Sequence, residues 1–434
     1  MTQEEHSIFD YGSQGCLPNF FFYSTAIFIL ALMGGSRSAF AASDFPRLDY
    51  NALIDARLVY TDNVRSWLDD GLGKARYGAT SAGHNRFDAT LAEASLILKP
   101  RFGQNFGAFL HIKYDDDQET PLDVTEAYFK YRALFSQETD LKLKLGAFFP
   151  PVSLENSGIA WSSPYTLSFS AINSWIGEEV KTIGLEATVE HFWQEHGFAL
   201  TGALFMLNDP AGSLLAWRGW ALHDRKIGLF DRLPLADIPT ISAGGTFAQQ
   251  QSQVKPIDEI DDNIGYYAGI SWTYSDRLQL KLLHYDSKGD QTVFDGDQYA
   301  WDTRFTSLGI HLRLHHGIEI LAQWMDGATQ MGEHNLVDVD FRSFYGLLSK
   351  SWEDHRLSVR YDRFWVDDQD STFDDNNYES GWAWTTAYRY QISVHQQLIG
   401  EALYIRSRRP VREQIGFAQN ADELLLQINY RILF

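Results

Sequence analysis

Apolar and polar residues alternate along most of the chain beyond residue 42. In 54–60, Ile54, Ala56, Leu58 and Tyr60 take every second position, with Asp55, Arg57 and Val59 between them. The same period of two runs through 106–114, 126–132, 141–147, 182–191, 197–207, 264–274 and 277–285. It continues in 303–315, 317–325, 341–350, 356–365, 381–390 and 397–406, and a further segment lies between the connector 62–86 and the turn 100–104. Successive side chains of a strand point to opposite faces, so each segment reads as a strand with one apolar face. The last is the clearest: Leu424, Leu426, Ile428, Tyr430, Ile432 and Phe434 form an unbroken apolar stripe that ends on the terminal residue.

Connector lengths give the architecture. Short turns such as 100–104, 275–276, 316 and 351–355 alternate with long loops at 62–86, 150–181, 286–302, 326–340, 366–380 and 407–422. Short turns at one end and long loops at the other are the asymmetry of a transmembrane barrel. Hydrocarbon offers no hydrogen bonds, so a spanning sheet must close on itself. The expected fold is therefore all-β, a transmembrane antiparallel β-barrel. One segment, 240–250, makes the count odd, which would leave the termini on opposite sides of the membrane. Either it lies in a large external loop, 208–263, giving 16 strands, or it pairs with 217–229, giving 18. The alternation in 217–229 is poor, which favours 16.

The amino terminus sets the compartment. Phe20 to Met33 is an apolar run ahead of Ser38-Ala39-Phe40-Ala41, a small-x-small cleavage site. Residues 1–41 read as a signal peptide and 42–434 as one barrel domain, with no room for a separate plug domain. The only cysteine, Cys16, falls within the leader, so no disulfide framework or cysteine-ligated metal is expected. An aromatic content of 15% argues against disorder, and a net charge of −21 argues against a nucleic-acid partner. No Gly-x-Ser-x-Gly, glycine-rich phosphate loop or His-Glu-x-x-His occurs, so neither an enzyme nor a cofactor is expected.

Alternation also assigns charges to the inner face. The inward basic residues are Arg57, Lys113, Lys130, Arg132, Lys142, Lys144, Arg277, Lys281, Arg313, Arg360, Arg389 and Arg431. The inward acidic residues are Asp49, Asp55, Glu126, Glu186, Glu190, Glu319 and Asp362. Such a wall favours anions, unless neighbouring cations and carboxylates cancel in pairs. Segment 149–181 carries Trp161, Tyr165, Phe169 and Trp175, which a solvated loop does not need, so it is expected to fold inward as a constriction. Glu155, Glu178, Glu179 and Lys181 are then the charges at its narrowest point.

The run Leu145-Gly146-Ala147-Phe148-Phe149-Pro150-Pro151-Val152-Ser153-Leu154-Glu155-Asn156 resembles the strand-to-constriction junction of phosphate-selective porins of the O and P type. Phe149 stands where that family carries lysine, and Ala171 to Ser174 where it carries Glu-Arg-Ser. The resemblance implies a porin fold, a homotrimer and a pore. The expected function is an outer-membrane porin for passive diffusion of small hydrophilic solutes and ions. A selective channel for phosphate-like anions is the first alternative, and a barrel enzyme the second. Expected partners are outer-membrane lipid, lipopolysaccharide and the barrel assembly machinery, the last through Phe434.

Overall fold

The computed structural model describes residues 45–62, 64–80 and 83–434, so the expected signal peptide lies outside the described residues. Sixteen strands form one closed barrel. They are β1 Arg47–Thr61, β2 Arg86–Arg101, β3 Phe106–Tyr114, β4 Leu122–Leu134, β5 Thr139–Phe148, β6 Thr182–Trp193, β7 His196–Met206 and β8 Gly265–Tyr274. Then follow β9 Leu278–Asp286, β10 Asp302–Leu314, β11 Ile318–Met331, β12 Val337–Trp352, β13 His355–Asp368, β14 Glu379–Ser393, β15 Gln396–Arg408 and β16 Asn420–Leu433. Each is antiparallel to the next, and β16 closes on β1 with Leu53 opposite Leu433 and Thr61 opposite Leu425. Beyond that register, the amides of Ala52 and Phe434 exchange hydrogen bonds with each other's carbonyls at 3.1 and 3.0 Å. Strand lengths run from 9 residues in β3 to 16 in β2. A tilted spanning strand needs about 9–11.

The alternation becomes two surfaces. Leu58, Leu145, Leu200, Ile270, Leu308, Leu348 and Ile428 are exposed on the outside, while Asp55, Arg57, Arg360, Asp362, Gln427 and Asn429 are buried within. An apolar belt around a closed sheet is a lipid-facing surface, so the chain is an outer-membrane barrel. Among the described residues no helix is long and apolar enough to cross a membrane.

Seven short turns join the strands at the end where the chain enters β1 and leaves β16. Eight longer connectors occupy the other end: L1 (62–85), L2 (115–121), L3 (149–181), L4 (207–264), L5 (287–301), L6 (332–336), L7 (369–378) and L8 (409–419). Segment 240–250 forms turns within L4 and no strand, which is why the count is 16.

The loops depart from expectation. L3 folds inward, but so do parts of L1 and L4, which the sequence places outside. Every residue of 71–79, 165–182 and 208–228 is buried. The three segments share one apolar cluster that includes Trp67, Leu72, Ile172, Trp175, Leu214, Trp217, Trp220 and Leu222. The reason is compositional: 211–222 holds two tryptophans, three leucines and three alanines, and removing that apolar surface from water stabilises it at about 25 cal/mol per Å².

Candidate channel lumen

L3 begins where Gly146, at φ 137°, brings β5 against β4; a Cβ there would meet the Ala127 carbonyl oxygen at 2.3 Å. Pro150 and Pro151 end the strand, and the Asn156 amide turns the chain by donating to the Trp161 carbonyl at 3.0 Å. Helix α1 (Ala171–Glu178) follows, with the Ser170 hydroxyl capping the Asn173 amide. Its Ile172, Trp175 and Ile176 lie at helical spacing and are fully buried.

L3 touches the wall around most of its circumference. Ala160 packs with Leu53 of β1 and Ile97 of β2. The Lys281 ammonium of β9 reaches the Ser153 carbonyl. Leu154 fills the space a side chain at Gly309 of β10 would need. The Tyr165 hydroxyl donates to Glu319 of β11 at 2.9 Å, and Glu401 of β15 accepts the amides of Leu167 and Ser168. Arg360 of β13 donates to the carbonyls of Ser168 and Phe169 at 2.7 and 2.8 Å.

L4 and L1 lie over L3. Trp220 of L4 sits edge-on to Trp175 at 6.0 Å. Trp67 of L1 is held between two L4 cations, Arg218 at 4.6 Å and Arg225 at 5.5 Å from its ring. Asp224 of L4 receives both Arg57 of β1 and Arg76 of L1. Lys74 of L1 donates to Glu379 of β14 at 2.7 Å and to the Arg218 carbonyl at 2.9 Å. Glu423 of β16 accepts the amides of Lys74 and Ala75. Sequence reasoning missed Lys74, Arg76, Arg218, His223, Asp224 and Arg225. The available signal was the density of tryptophan and leucine around them in segments read as solvated loops.

Most of the charges assigned to the wall lie in pairs, but Arg277 falls in the exposed turn between β8 and β9, outside any strand. Arg57 pairs with Asp55 and Asp224, and Lys113 with Asp115. Arg132 pairs with Asp140, Lys142 with Glu190 and Lys144 with Glu186, at 2.6, 2.6 and 2.8 Å. Arg313 lies 3.7 Å from Glu319, and Arg360 joins both Glu155 and Asp362. Among the described residues, Lys130, Arg277, Lys281 and Arg389 have no carboxylate within ion-pair distance; Arg389 donates to the Ser163 carbonyl instead.

The four constriction charges are all buried in the plug, each with its own partners, and none of them faces water. Glu155 meets Arg360, and Glu178 meets Arg218 and His223 at 2.6 and 2.9 Å. Glu179 accepts from the Trp175 indole, the Ser213 hydroxyl and the Leu214 amide. Lys181 donates to the Ile227 carbonyl and lies 4.7 Å from the Phe149 ring. L4 covers the face of L3 on which the sequence expects an open passage. Phe149 itself stacks on Trp161 at 4.5 Å.

Two other clusters bear on alternatives. The Ser95 hydroxyl lies 2.9 Å from Nε2 of His111 and donates to Glu93, while Nδ1 of His111 is buried without a partner. A nucleophilic triad needs the carboxylate on the far nitrogen of the imidazole, where here there is none. In L4, Asp209, Glu259 and Asp261 converge. Burial, with Asp261 and Glu259 beside it, pushes the Asp209 carboxyl up to about 6.

No protein-family model matches the chain, and no curated protein matches it. Solved structures do. The outer membrane channel DcaP of Acinetobacter baumannii is similar at a TM-score of 0.53 and 10% identity, over 92% of this chain and 100% of that one. OmpT of Vibrio cholerae, expressed in the outer membrane, gives 0.51 and 8% over 91% and 100%. The anion-selective porin from Comamonas acidovorans gives 0.50 and 11% over 89% and 99%. At these identities the likeness is one of fold: a 16-stranded outer-membrane barrel of the porin type.

Proposed function

We propose that the protein is an outer-membrane channel for small hydrophilic solutes and ions, held closed in this conformation by a plug built from L1, L3 and L4. The observation that carries this reading is the plug itself. It touches most of the wall, yet it belongs to loops, whose displacement leaves the strand-to-strand backbone hydrogen bonds of the barrel in place. Permeation then requires the plug to loosen, so conduction is gated rather than continuous. The inner wall supports only weak charge selectivity, because eight of the twelve wall cations singled out from sequence lie beside carboxylates. This counts against a dedicated phosphate channel and against the finer resemblance to the O and P type. Lipopolysaccharide, assembly through Phe434 and a homotrimer belong to the same reading; a matched OmpT structure of Vibrio cholerae is described in a trimer form. Recording single channels in planar bilayers tests it. Gated ion currents are expected, and a barrel that inserts but passes no ions under any voltage or loop deletion would overturn it.

A further inference from the structure

Beneath L3, in the half of the lumen that opens toward the short turns, lies a cavity of about 350 Å³. That is the small end of ligand pockets, which run roughly 300–1,000 Å³. L3 roofs it from Phe149 to Trp161, and its walls come from β1 to β5 and β9. One side is aromatic. Phe109 and Tyr128 stack at 5.0 Å with planes 14° apart, and Trp161 hangs from the roof. Cations flank these rings, Lys99 of β2 on one side and Lys281 of β9 on the other. The Lys281 ammonium has only the Ser153 carbonyl at 3.4 Å, and the Lys99 ammonium has only the Asn51 side-chain oxygen at 2.6 Å. Neither has a carboxylate within ion-pair distance among the described residues. Lys144 also lines the cavity but is paired with Glu186. Glu126, the one acid in the lining, lies by the L3 junction, where it accepts the Phe149 amide.

We propose that this cavity binds small aromatic carboxylates, with the ring against Phe109, Tyr128 and Trp161 and the carboxylate on the Lys281 ammonium. Two ammonium groups without counter-charges call for an anion. The aromatic side selects one with a flat apolar body over a compact hydrated ion such as phosphate, because only the former removes that surface from water. A cationic ring compound would face the two ammonium groups directly and be repelled. Calling such ligands permeants rests on the channel reading; the binding itself does not.

The test is calorimetric titration of the full-length barrel in detergent with benzoate, benzylamine and inorganic phosphate. Benzoate is expected to bind at least tenfold more tightly than either of the others, the worth of one charge-assisted contact. Lys281→Gln should weaken benzoate roughly tenfold and Lys281→Arg should restore it, while both variants keep the heat-modifiable mobility of a folded barrel. Equal affinity for benzylamine, equal affinity for phosphate, or no effect of Lys281→Gln in a folded barrel would each overturn the proposal. Ion conduction without benzoate binding would overturn the aromatic-carboxylate site alone and leave the channel reading standing.

Discussion

Arg360 of β13 and Glu155 of L3 meet at 3.1 Å with neither side chain exposed. Arg360 also holds Asp362 at 2.7 Å, so one guanidinium neutralises a wall carboxylate and a loop carboxylate at once. Removing one partner of a buried pair costs about 3–5 kcal/mol, because the other charge is left uncompensated. Arg360→Gln should therefore undock L3 while the barrel stays closed. Hydrogen exchange checks this: amides of Leu167, Ser168 and Ala171, protected in the native protein, should lose most of their protection. Unchanged protection would mean that the apolar contacts of α1 hold L3 without the ion pair.

Selectivity should follow the unpaired wall cations rather than the carboxylates of L3. Glu178 and Glu179 are buried beneath L4, whereas Lys130 has no carboxylate partner. Lys130→Gln should shift the reversal potential in a salt gradient toward cations. The shift should exceed the opposite shift produced by Glu179→Gln. The reverse ordering would place Glu179 in the conducting path.

L7 should loosen as pH rises. Burial, with Asp370 and Asp368 nearby, pushes the Asp375 carboxyl up to about 8 from the usual 3.8. The folded protein thus binds a proton more tightly than the unfolded chain, and the resulting stability is fully present below 3.8 and lost as pH climbs through about 8. Protection factors for amides in 369–378 should fall between pH 6 and 9, and Asp375→Asn should flatten the profile. A flat profile in the native protein would contradict this.

Deleting Phe434 should impair assembly. It removes the two backbone bonds to Ala52 at the seam and the last aromatic of the outward stripe. The yield of heat-modifiable barrel in the outer membrane measures this, and a normal yield would show that the seam closes through Leu433 and its neighbours alone.

The barrel was legible because period two is a strong signal when hydrocarbon lies on one side. Leu424 to Phe434 fixes the register of β16, and the opposing faces of β1 follow from Asp55 and Arg57. The inward fold of L3 was legible too, from its four aromatic residues. L1 and L4 were not. Their burial depends on contacts far apart in sequence, such as Trp67 with Arg218 and Lys74 with Glu379, which no local period announces. For the same reason the sequence places Glu178 beside open water, when His223 and Arg218 of L4 surround it. Pairing across strands was likewise invisible: Lys142 and Glu190 are neighbours only because Lys142 lies opposite Thr188 in the β5–β6 register.

A lumen closed by loops is tested most directly by single-channel recording of the native barrel beside a variant lacking 212–229, the part of L4 that covers L3. The native channel should rest closed with brief openings. The variant, once its heat-modifiable mobility shows a folded barrel, should stay open for far longer at the same voltage. Steady conduction by the native protein, at the level and open fraction of the variant, would contradict the plug.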